Sequence, residues 1–459
     1  MTARASGAEH VLGAAVAATR WEDAPTAVRD RVVDLVADTV AVAALGSGRS
    51  ELRALVDGYA TTPEGTAAVP GSPRGWPAST AAFLTGCAVA ADQLQDGHRL
   101  ARGHPASHVA TAVLAIAQEV GSTGPEVLSA VLAGYEAGAR VGRAMQGTPI
   151  GVHDIGTWGE LAAAAGVARL LAPRDAGAAT RAIGLAGAAV LLTDAGSVFG
   201  GTTGGHAFLG LSVQAGVELA RSAVAGLAPL PGALDRHLAA VAAADWTPGA
   251  LVEGVDVTGW TRWDVLGGYV KAHPTCAHLH GVNDAVADLV AGGLSADDVA
   301  AVEVRCTRSA AAFDQPADSE LQARFSVPTS VAVALVTGRL DETTITDEGV
   351  RRPDVVDLAR RVRVVVDPAL ELRTSEGRPA EVVVTLGNGS TLSTGARRPR
   401  GDGDRAFDRG QLREKASRLL RHRFAAAGRD VLDAVHALAE GGTAADLADA
   451  LRSAAREHP

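Results

Sequence analysis

The sequence predicts a mainly helical protein. A large all-helical domain is formed by residues 1–265 and completed by 400–459, and a smaller, lid-like α+β domain, residues 266–399, is inserted between them. Three observations carry this. Apolar residues recur at helical spacing through the first 265 positions, alternating strand patterns appear only between about 302 and 393, and helical spacing returns from about 400. A chain of 459 residues is long enough for two such units.

The elements follow in order. Pro25, suited to a first helical turn, precedes Val28, Val32, Leu35 and Val36, and Gly46 closes that run. Ser79 is placed as the N-cap of a helix reaching Gln95. After the polar loop 96–105 a helix continues to Gly121, and Pro125 opens another whose apolar face carries Val127, Leu128, Val131, Leu132 and Tyr135. Thr157-Trp-Gly-Glu160 fits a capping box, with Thr157 as N-cap and Glu160 at the third helical position, ahead of a helix to Leu171 that Pro173 stops. Two more helices cover about 175–192 and 207–222 before Pro229 and Pro231 break the chain. In the second unit a helix at 278–291 precedes strands at 302–307, 361–366 and 381–386, with a helix at about 328–337 between them. Gly387-Asn388-Gly389 and the residues 390–393 mark a hairpin. Helices at 412–420, 431–438 and 444–454 end the pattern.

Composition narrows the function. Hydrophobic residues are 47% and charged residues 20%, which excludes a disordered chain. A net charge of −10 without a basic cluster speaks against nucleic acid. Cys87, Cys276 and Cys306 are too few for a secreted disulfide framework, and no apolar run follows a basic start as in a signal peptide. The most apolar stretches, 109–117 and 182–192, fall short of the ~20 residues of a membrane span. A cytoplasmic protein is expected. Only two of the 42 basic residues are lysine, Lys271 and Lys415, so the retention of each calls for a physical reason.

Four polar patches can carry chemistry. Residues 92–105 pack Asp92, Asp96, His98, Arg99, Arg102 and His104 together, and His104 stands before Pro105 at a helix start. There the positive end of the helix dipole attracts anions and lowers an imidazole pKa, which suits an acid/base group working on an anionic substrate. Plain capping of the next helix explains the same residues equally well. His153, in Gly151-Val-His-Asp-Ile-Gly-Thr157, is again at a helix entry. The turn 200–206, with Thr203 and His206, lacks GxGxxG and P-loop spacing, so its exposed N–H groups suit a carboxylate or hydroxyl better than a nucleotide. Lys271-Ala-His-Pro-Thr-Cys-Ala-His-Leu-His280 invites a zinc reading, but no second Cys/His pair follows. Lys271 makes better sense as a clamp for a carboxylate, helped by Arg102. Histidines so widely separated point to one cleft if the fold gathers them.

Taken together, these patches resemble the MmgE/PrpD family, which includes 2-methylcitrate dehydratase, cis-aconitate decarboxylase and iminodisuccinate epimerase. The resemblance runs over nearly the whole chain. It rests on the Asp-bearing loop ending in His104-Pro105, on Gly134-Tyr135-Glu136 with Arg140-Val-Gly, and on Gly151-x-His153 with Gly156-Thr157. It continues in the Gly/His206 turn, in Lys271 with Pro274-x-Cys276-x-x-x-His280, and in Arg324-Phe-Ser-Val-Pro328.

The resemblance implies an all-α domain built from both chain ends, a smaller inserted domain with the active site between them, a homodimer, and no metal or organic cofactor. It also implies chemistry next to a carboxylate. Matched by motif, the active-site residues are Asp92, His104, His153, Lys271 and Cys276, the last where some members have histidine. The family commonly has a lysine where this chain has Thr203 and a tyrosine where it has Thr329, which implies a substrate other than a standard tricarboxylate. On this view His104 and His153 exchange protons, Asp92 orients a histidine, and Lys271 steadies the anion. A dehydratase or decarboxylase acting on a small carboxylic acid is expected. An isomerase, epimerase or cyclase of secondary metabolism, or a binding protein that kept the fold, are the alternatives.

Overall fold

With few aromatics and many alanines and glycines, the helices here bring their backbones close and bury small side chains. The computed structural model of the protein describes residues 2–256, 259–374 and 377–458. Its longer helices are α1 (Thr2–Ala18), α2 (Thr26–Ser47), α3 (Ala78–Ala91), α4 (Pro105–Val120), α5 (Gly124–Met145), α6 (Gly159–Leu171), α7 (Ala176–Ala188) and α8 (Gly204–Val224). α8 packs on α3 and α6, and α6 also packs on α4 and α5. Facing glycines permit the α3–α8 approach: a Cβ on Gly210 would lie 2.6 Å from the Phe83 carbonyl oxygen and 2.5 Å from Cys87 Sγ.

The smaller unit begins with α9 (His280–Ala291) and β1 (Val299–Cys306), then α10 (Val327–Thr337), β2 (Val362–Val366), β3 (Ala380–Leu386) and β4 (Thr391–Ala396). The strand order is β2-β1-β3-β4, with β2 parallel to β1 and the β3–β4 hairpin antiparallel. Val382 and Val384 of β3 pair with Val304 and Val302 of β1, and all four side chains are buried on one face of the sheet, as the period of two requires. α9 covers β3 and β4. The last helices, α11 (Arg409–Phe424), α12 (Gly428–Ala437) and α13 (Ala444–Glu457), return to the helical part: α11 and α12 pack on α2, and α13 on α4. The protein is mainly α with a smaller α+β part. Among the described residues no helix is long and apolar enough to cross a membrane.

Three local expectations are corrected. α3 starts after Pro77, so Ser79 lies inside it, and it ends at Ala91 because Gln93 takes a left-handed φ of 53°. The helix placed over 175–192 stops at Ala188. Thr157 does not cap α6: residues 154–156 form a 3₁₀ turn, and the Thr157 amide and hydroxyl both donate to the Asp154 carbonyl, at 3.0 and 2.9 Å. Glu160 is instead buried, and burial pushes its carboxyl well above the usual range, against the pull of the Leu191 amide. The capping box at this end of the chain belongs to α5, where the Glu126 carboxylate accepts from the Thr123 amide at 2.8 Å.

Candidate active site

The loop between α3 and α4 is built around two carboxylates with different tasks. Asp96 caps α4, accepting from the Ala106 and Ser107 amides at 3.0 and 2.9 Å and from the Ser107 hydroxyl at 2.6 Å. Its backbone carbonyl accepts the Nδ1 proton of His104 at 2.5 Å. That bond fixes the tautomer: neutral His104 carries its lone pair on Nε2. Burial, and then the nearby Lys271 charge, push this imidazole down to about 3, so it stays neutral.

His153 is set the opposite way. It lies in a two-residue strand, Val152–His153, paired with Thr193–Asp194, and its Nδ1 accepts the Ile155 amide at 3.1 Å. Neutral His153 therefore bears its proton on Nε2. Burial lowers its pKa too, and its ring meets Phe199 edge-on at 4.8 Å.

Lys271 follows Gly268–Tyr269, which pairs with Gly97–His98 and so ties this segment to the His104 loop. The ammonium is 1% exposed, its Nζ lies 3.5 Å from Oε1 of both Gln93 and Gln95, and among the described residues no carboxylate lies within ion-pair distance. Burial pulls it down to about 8, with the Cys276 side chain acting the other way. Burial likewise raises the Cys276 thiol, against the pull of Lys271 and of the His278 amide.

These residues share one cavity of about 1120 Å³, lined by Arg102, His104, His153, Lys271, Cys276 and His278, with Gln93, Gln95 and Arg378 also in its wall. The volume holds a small organic acid with water to spare. Arg378 stands with its guanidinium 5.3 Å from the Tyr269 ring, and sequence reasoning missed it, as it missed Gln93 and Gln95. For the two glutamines the sequence signal is proximity to Asp92 and His104, and Arg378 has none.

Four expected site residues lie elsewhere. Asp92 is fully buried but binds no histidine: its Oδ1 accepts from Arg324 at 2.9 Å and from Arg49 Nε at 3.1 Å. Those guanidiniums hold its carboxyl below the usual range despite burial. His206 is buried behind Asp92, with neither ring nitrogen hydrogen-bonded. Thr203 is exposed at the start of α8 and makes no capping bond, and the Thr329 hydroxyl accepts the Ala317 amide at 2.9 Å. The inference of an altered substrate from Thr203 and Thr329 therefore finds no support in the cavity wall. Truncating Asp92 to alanine leaves Arg324 buried without its carboxylate, and roughly 3–5 kcal/mol of stability is expected to go, read as a lower urea midpoint. Two further histidines from these patches are held by other groups. His98 bonds the Asp264 carbonyl at 3.1 Å and His273 pairs with Asp284 at 2.9 Å, and among the described residues no three metal-ligating side chains converge.

Comparison with known proteins places the chain in a family. Over 226 residues, 45% of this chain and 45% of the relative, the chain is 31% identical to a protein named cis-aconitate decarboxylase-like protein oryM from Aspergillus oryzae. The matched region is thus less than half of the relative's length. Family models for the MmgE/PrpD N-terminal domain and the MmgE/PrpD C-terminal domain match residues 11–273 and 273–440. With both matched in succession along most of its length, the chain belongs to the MmgE/PrpD family.

Proposed function

We propose that the protein is a lyase that breaks a bond next to a carboxylate of a small organic acid, as a dehydratase or decarboxylase. The observation that carries the reading is the opposed pair of imidazoles on one cavity, His104 with a free Nε2 lone pair and His153 with an Nε2 proton, beside an ammonium that has no carboxylate partner among the described residues. Family membership and the decarboxylase-like name of the Aspergillus relative support the same class.

In dehydration, His104 Nε2 takes the proton from the carbon next to the carboxylate. The bond electrons form the new double bond, and the leaving hydroxyl, held by the Nε2 proton of His153, departs as water with the proton that His104 took up. In decarboxylation the carbon–carbon electron pair stays on the substrate when CO2 leaves, and a proton relayed from solvent through His153 Nε2 reaches that carbon. In both, Lys271 faces the charge that builds up, in a site where burial makes the interaction strong. These steps use only side chains of the chain itself, and they are proposed for a cytoplasmic homodimer.

Incubation with candidate hydroxy and unsaturated acids in D2O tests the proposal. Release of water or CO2 with one of them is the expected result. Solvent deuterium entering the substrate without net conversion would instead identify an epimerase or isomerase, and binding with neither exchange nor turnover would leave a non-catalytic receptor.

A further inference from the structure

Lys415 is the second of the two lysines the sequence keeps, and the steps above do not use it. It sits on α11, 6% exposed, with Nζ 2.7 Å from Asp38 Oδ1 of α2 and donating to the Leu94 carbonyl at 3.0 Å. Leu94 is the middle of the segment 92–96, whose alternate residues are each held from outside. Arg324 holds the Asp92 carbonyl at 3.0 Å, Lys415 holds Leu94, and the start of α4 holds Asp96. The two residues left between these anchors, Gln93 and Gln95, are those whose side-chain oxygens face Lys271. Gln93 also has a left-handed backbone that needs support to persist.

We infer that Lys415 is a positioning residue for the cavity: by gripping Leu94 it presents Gln93 and Gln95 to Lys271 and so fixes where the ammonium points. This rests on the role proposed above for Lys271. The cation that acts and the cation that aims it come from segments 144 positions apart, joined through a single backbone carbonyl.

Because the chain has two lysines, lysine-selective 15N and 13C labelling yields a spectrum of two side chains, and any Lys415 variant leaves that of Lys271 alone. Lys415→Met strands Asp38, so the test pairs it with Asp38→Asn, which removes both charges together, and with Lys415→Arg, which keeps the cation. Folding is checked by circular dichroism and the thermal midpoint. At about pH 6, where the Lys271 ammonium is protonated, the double variant is expected to show a moved or broadened Lys271 resonance. Its kcat is expected to fall about 10²-fold with KM nearly unchanged, and Lys415→Arg to recover most of both signals. A folded double variant whose Lys271 resonance stays in place would overturn the inference. The resonance is read without substrate, so failure to find any turnover would count against the lyase reading alone.

Discussion

Replacing His104 by alanine is expected to lower kcat about 10²–10⁴-fold on any acid the wild-type protein turns over, the usual contribution of one proton-transferring group. The argument lies in the bond from its Nδ1 to the Asp96 carbonyl, which leaves Nε2 as the only nitrogen able to accept a proton. Substrate binding by Lys271 survives the change, so KM should move little. Exchange of the substrate's carbon-bound proton in D2O separates the two histidines. If the reaction begins by removing that proton, exchange is lost in His104→Ala and persists in His153→Ala, since His153 acts on the departing group. Exchange that persists in His104→Ala at the wild-type rate would remove it as the base. Because burial holds His104 down at about 3, kcat/KM should show no acid limb from this residue in the neutral range.

Lys271→Met is expected to cost about 10²–10³-fold in kcat/KM, the scale of losing one group that stabilises developing charge. The wild-type alkaline limb should have its midpoint near 8, where the buried ammonium deprotonates, with kcat/KM falling above it, and the limb should be absent from the residual activity of the variant. The same substitution should raise the melting midpoint near neutral pH, since it removes a buried charge that has no carboxylate partner among the described residues. The sign follows from linkage. The folded pKa is about 8 against an ordinary 10.5, so the unfolded chain binds more protons between these values and wild-type stability rises with pH across that window. The advantage of the methionine variant should therefore be largest below 8 and shrink toward 10.5. A variant less stable than wild type at every pH would mean that the lysine is held chiefly by packing.

Much of this arrangement was legible because local chemistry announced it. Pro105 after a polar loop placed the start of α4 and with it His104, and Gly121 closes that helix in a left-handed conformation. The Gly387-Asn388-Gly389 turn placed the β3–β4 hairpin. What stayed hidden depended on partners distant in sequence. Asp92 matched a catalytic position by motif, but its Oδ1 is claimed by Arg49 and Arg324, the latter 232 positions away. Arg378 enters the wall from the start of the hairpin unit, where nothing in the local sequence distinguishes it from the chain's many other arginines. Thr157 and Glu160 had the spacing of a cap, but the 3₁₀ turn before them had already taken the threonine. The scarcity of lysine drew attention to both survivors, although composition alone assigned neither a place.

Both side-chain amines of the chain are buried, Lys271 in the wall of the larger cavity and Lys415 against Asp38 and the Leu94 carbonyl. Among the described residues the exterior therefore presents no lysine, and small electrophiles that seek lysine amines find none to consume them there. An aldehyde or activated ester narrow enough to enter the larger cavity would meet one side-chain amine in its wall, that of Lys271.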